Sequence, residues 1–110
     1  MRIVISEDNN RLYKSELLAF DPSMEIIALN PMDSRDPAWE DVPESDALFM
    51  CYQFLFAARD SPEIHSALLT LSKRMKFIQS GFAGMDSPIL QAVLKIENIQ
   101  IANASSVYAI

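Results

Sequence analysis

Cysteine, glycine and histidine are nearly missing from this chain: in 110 residues there are one, two and one of them. The single thiol, Cys51, excludes an internal disulfide and has no Cys or His companions at zinc spacing, so it reads as a small buried hydrophobe. The two glycines, Gly81 and Gly84, form neither a G-x-G-x-x-G nor a Walker A loop. His65 has no partner acid in local sequence and reads as a surface histidine rather than a general base. Basic residues are the minority. Nine Lys and Arg against fifteen Asp and Glu leave a net charge of −6, which repels phosphate backbones and argues against nucleic acid as a partner. Long apolar runs are missing too. The longest, Ala47–Ala58, is shorter than the ~20 residues of a membrane span and is interrupted by Gln53. The N-terminus carries Arg2 but no apolar run with a cleavage site, so a cytoplasmic protein without membrane contact is expected.

What remains is ordinary for a folded domain. Half of the residues are hydrophobic, enough for one packed core at this length but not for two. Arg2–Ser6 is a β-branched run that opens a strand, and acids and Asn residues at Glu7–Asn10 then start a helix. Tyr13, Leu17 and Phe20 fall at i, i+4 and i+7, the spacing of one buried helical face, and Asp21-Pro22 ends it. Glu25–Leu29 is the second strand. Pro31, Pro37 and Pro43 break the next stretch, so a loop with one helical turn around Ala38–Asp41 is expected there.

Asp46–Tyr52 is apolar on both parities, the pattern of a central strand covered on both faces of a parallel sheet. Tyr52–Asp60 then reads as a loop. Ser61-Pro62-Glu63 is an N-cap, a proline at the first helical position and an acid at the positive helix end, ahead of a stripe at Ile64, Ala67, Leu68, Leu71 and Met75. Lys76–Gln79 makes the fourth strand, Ser87-Pro88 caps a helix with Ile89, Ala92, Val93 and Ile96 on its stripe, and Ile99–Ala102 makes the fifth strand. Strands alternating with helices imply parallel pairing through right-handed crossovers. The fold class is α/β, a flavodoxin-like doubly wound parallel sheet of five strands in order 2-1-3-4-5. Its ligand crevice lies outside the carboxyl ends of the strands, near the switch point between strands one and three, at loops Ser6–Asn10, Tyr52–Asp60, Ser80–Ser87 and Asn103–Ile110.

No catalytic constellation is complete in the chain, but the turn Ser80–Asp86 is suited to presenting backbone N–H groups to an anion. Met75-Lys76-Phe77-Ile78, then Ala83-Gly84-Met85-Asp86, then Asn98–Ala104 and Ser106-Val107-Tyr108-Ala109 follow one another in the pattern of a known domain. The run resembles the N-terminal substrate-binding domain of the D-isomer-specific 2-hydroxyacid dehydrogenases. It departs from that pattern at Cys51-Tyr52, where a basic or hydroxyl residue is common, and at Asn98, which replaces a glycine. The resemblance implies that the amides at Phe82, Ala83, Gly84 and Met85 hold a substrate carboxylate, with Tyr52 on the same wall. It also implies that the catalytic residues and the NAD or NADP site belong to a nicotinamide-binding domain beyond Ile110. Residues 1–104 would then be the substrate-binding domain and residues 105–110 the start of a hinge.

The expected function is that of the N-terminal part of an NAD(P)-dependent reductase of 2-oxo acids, inactive alone and homodimeric when intact. A rival comes from Met1–Asn9, which resembles the start of a response-regulator receiver, where acids hold Mg²⁺ beside a phosphorylated aspartate. Cys51 stands at or near that aspartate's place. With no helix after strand five, the sheet face that carries the first helix is expected to be part bare, near Ile3, Ile5 and Ile99 or Ile101, and to favour self-association.

Overall fold

A computed structural model describes residues 1–81, 87–97 and 99–102 of the chain. The strands are β1 (Arg2–Ser6), β2 (Glu25–Leu29), β3 (Ser45–Met50), β4 (Met75–Ser80) and β5 (Gln100–Ala102), and the helices are α1 (Glu7–Phe20), α2 (Pro37–Glu40), α3 (Tyr52–Asp60), α4 (Pro62–Ser72) and α5 (Pro88–Val93). All pairings are parallel and the order across the sheet is β2-β1-β3-β4-β5, so the architecture is α/β with a flavodoxin-like sheet. β1 feeds β2 on one side and β3 feeds β4 on the other. Right-handed crossovers in opposite directions put α1 on one face and the later helices on the opposite one.

The pleat sorts the strand residues between those faces. Val4, Leu48 and Ile78 are in register and wholly buried, with Ile101 next to Ile78, and they carry the main core with Leu29, Met50, Phe54, Leu68, Leu71, Ile89, Leu90 and Val93. Trp39 joins them edge-on to Phe54, with ring centroids 5.9 Å apart and planes at 75°. Its indole N–H donates to the Asn30 carbonyl at 3.2 Å, which satisfies the polar end of a buried ring. Arg74 holds the same connection from below, its guanidinium donating to the carbonyls of Val42 at 3.1 Å and Glu40 at 3.2 Å.

Several elements differ from the sequence reading. Tyr52–Asp60 is a helix, not a loop, with Phe54, Leu55, Ala57 and Ala58 buried at helical spacing. The apolar run Ala47–Ala58 crosses the β3–α3 boundary without a breaker, and Cys51 makes no side-chain cap bond there, so nothing local marked the change of period. Ser61 then serves two helices: its N–H closes α3 on the Ala57 carbonyl at 3.0 Å, and its hydroxyl accepts from the Ile64 amide at 3.2 Å to start α4. Met75 opens β4 instead of closing the α4 stripe. Helical structure at residues 37–40 falls where one turn was expected, with Asp36 as its cap.

The face beneath α1 is the larger departure. No residue of α1 is buried, and Phe20 is 86% exposed; the helix packs mainly over β1 and β2 and leaves an open groove between itself and β3. β3 is central but not covered on both faces, since Phe49 is 37% exposed. Ile3 and Ile5 do lie on this side, Ile3 half-buried but Ile5 buried rather than bare. Ile99 and Ile101 do not: they pack against the opposite core, one strand parity away.

Candidate functional site

The carboxyl ends of β1, β3 and β4 meet at the switch point as Ser6, Met50-Cys51 and Ser80-Gly81. Ser6 is fully buried and caps α1, its hydroxyl accepting from the Asn9 amide at 3.1 Å. The strand therefore turns into the helix with no intervening loop, and the first-turn acids Glu7 and Asp8 stand at the positive end of α1. Asp8 is engaged from both sides. The Gln53 amide reaches it from the first turn of α3, and the Arg11 guanidinium from the next turn of its own helix. These donors hold the Asp8 carboxyl below the ordinary carboxylate range, Gln53 contributing most. The bridge ties α1 to α3 across the switch point.

α3 begins directly after Cys51, so its positive end faces the crevice without a side-chain cap from that residue. Gly81 lies against this end. Its amide donates to the Met50 carbonyl at 3.0 Å, and a Cβ there would stand 3.4 Å from Cys51 Cα, an ordinary van der Waals contact. Gly81 is thus not required by close approach, and the glycine argument for an anion-binding turn rests on Gly84. Phe82, Ala83, Gly84 and Met85, the expected carboxylate-binding residues, lie outside the described residues, as do Asp86, Asn98 and the hinge at 105–110. Tyr52 is described. It projects from the first turn of α3, half-exposed, with its ring stacked on Phe56 at 5.8 Å, and it lines the groove below α1.

His65 is half-buried on α4, in a depression with Arg59, Ser66 and Pro88, on the far side of the sheet from α1. Cys51 is buried, as expected, and sits at the end of β3 where a receiver would need a carboxylate. Among the described residues no group of three or more His, Cys, Asp or Glu is placed to share a metal ion. The β1–α1 turn does not fit a dinucleotide either: it has no glycine and carries Glu7 and Asp8 where a pyrophosphate would approach. No helix among the described residues is long and apolar enough to cross a membrane. Sequence reasoning missed the Asp8–Gln53 bridge, whose only trace was a polar residue inside an apolar run.

Comparison of the chain with family models, with curated proteins and with solved structures returned no match.

Proposed function

We propose that this chain is the substrate-binding, N-terminal part of an NAD(P)-dependent D-2-hydroxyacid dehydrogenase, and that its job is to hold the carboxylate of a 2-oxo or 2-hydroxy acid. One observation carries the reading. Ser80-Gly81, from which the motif-bearing segment continues, lies at the carboxyl end of the sheet with Gly81 against the N-terminal end of α3, where Cys51 makes no side-chain cap bond. A carboxylate held beside Gly81 would sit in the favourable field of that helix end, with Tyr52 near it; the resemblance assigns its binding to the amides of Phe82, Ala83, Gly84 and Met85, which lie outside the described residues. A nicotinamide dinucleotide would supply the hydride, and no cradle for its pyrophosphate is found among the described residues. The residues of this chain bind and orient the acid and exclude water from one side of it.

Titration of the 15N-labelled chain with oxalate tests this directly. Amide shifts confined to Ala83–Met85 and the start of α3 are expected, with weak affinity on the order of millimolar, equivalent to about 4 kcal/mol. Gly84→Val removes them by filling the approach to the backbone. Absence of shifts at Ala83–Met85 at tens of millimolar oxalate would overturn the proposal.

A further inference from the structure

An open groove of about 500 Å³ runs beneath α1, between Tyr13 and Leu17 of that helix, Ile3 and Ile5 of β1 and Phe49 of β3. Asn9 and Tyr52, each in the first turn of the helix that follows its strand, line its end at the carboxyl edge of the sheet. Tyr52 also belongs to the crevice: its backbone nitrogen lies 3.8 Å from where a Cβ on Gly81 would stand. A single residue therefore joins Gly81 to the groove. We infer that the groove receives the side chain of the acid whose carboxylate is held beside Gly81, and that the substrates are 2-oxo or 2-hydroxy acids with an uncharged aromatic or branched aliphatic side chain. The inference rests on the carboxylate reading above and adds the substrate class to it.

Chemistry and size select that class. Among the described residues no acid and no base lines the groove, so an ionised side chain entering it would give up water for no partner. A second carboxylate has no cation there to meet, which sets dicarboxylic acids aside. The groove offers ring and branched aliphatic surface instead: Tyr13, Phe49 and Tyr52 all keep exposed ring area to lay against a ligand. At the entrance the Tyr52 ring is backed by Phe56, with centroids 5.8 Å apart. The volume falls within the roughly 300–1,000 Å³ of small-ligand sites. A methyl group would leave most of the apolar surface wet, whereas a benzyl or isobutyl group covers it.

Titration of the isotope-labelled 110-residue chain with lactate, phenyllactate, malate and 2-phenylethanol, beside the oxalate titration, is the test. Phenyllactate should bind at least about tenfold tighter than lactate, the discrimination that burial of an apolar side chain supplies, with ring-proton NOEs to Tyr13, Phe49 and Ile5. Malate should bind no tighter than lactate. 2-Phenylethanol has the ring without the carboxylate and should bind at least about tenfold more weakly than phenyllactate. Tyr13→Ser, at an exposed position of α1, should lower the phenyllactate-to-lactate affinity ratio about threefold by removing one ring contact. With the oxalate shifts in place, five outcomes each overturn this inference and leave the carboxylate reading standing: equal affinity for lactate and phenyllactate, a preference for malate, phenylethanol as tight as phenyllactate, NOEs that miss Tyr13 and Phe49, or a ratio indifferent to Tyr13→Ser. Loss of the oxalate shifts overturns that reading, and this inference with it.

Discussion

Within α3, Phe54 and Phe56 stand two residues apart and have opposite fates. Phe54 is wholly buried against Trp39, whereas Phe56 is half-exposed and covered in part by the Arg59 guanidinium, 4.9 Å above its ring. Phe54→Ala should cost about 3–5 kcal/mol, since it opens a cavity in a packed core. Phe20→Ala, at the end of α1, should stay within about 0.5 kcal/mol, although its periodicity marks it as core. Urea melts of the two variants at low micromolar concentration check the contrast. Asp46 gives a pH-dependent case. Its carboxylate accepts from the Arg2 amide at 2.8 Å and pairs with Lys76 at 3.4 Å, and these interactions, the Arg2 bond first, lower its pKa below the usual 3.8. A depressed carboxylate stabilises the fold above its unfolded-state pKa, and that contribution disappears as pH falls through the lowered value. Asp46→Asn should accordingly be less stable than the parent at pH 6 and should converge with it as pH falls through the lowered Asp46 value. Thermal melts across that range would show the convergence.

The connection between β2 and β3 has only one helical turn, so its order depends on what grips it. Arg74, leaving α4 just before β4, donates to the carbonyls of Glu40 and Val42, and the Trp39 ring anchors the segment from the core side. Arg74→Ala leaves those carbonyls to find water at a part-buried site and should cost about 1–3 kcal/mol. Hydrogen exchange of the 37–45 segment should rise with it, and unchanged protection there would remove the clamp from the account. The α3–α4 pair makes the complementary point. Ser61 ends one helix and begins the next, so the crossover from β3 to β4 contains two helices where capping signals revealed one. The capped helix was legible because Ser61-Pro62-Glu63 is a local chemical signature. The uncapped one was not, because helix and strand share apolar residues and only the change of period separates them.

At the scale of the molecule, the acidic β1–α1 turn and the shortage of glycine leave no cradle for a pyrophosphate among the described residues. The purified chain should show no NADH-dependent turnover of any 2-oxo acid, and measurable turnover would overturn the division of labour proposed above. Acetyl phosphate should leave its mass unchanged, since β3 ends in a thiol where a receiver requires a carboxylate. An added phosphoryl group would favour the signalling alternative instead.

The parallel order 2-1-3-4-5 was readable from the chain alone, because β-branched runs, Ser-Pro caps and the right-handedness of crossovers are local or universal constraints. Tertiary structure decided three other things. It decided that α1 lies exposed over two strands: a helical stripe says which side is apolar but not whether a neighbour covers it. It decided that Ile101 belongs to the core face while Ile3 faces the groove, since register between strands distant in sequence sets the parity. And it brought Asp8 to Gln53, 45 positions apart, where β1 and β3 lie side by side. Contacts of that kind are products of topology, and composition and periodicity carry no record of them.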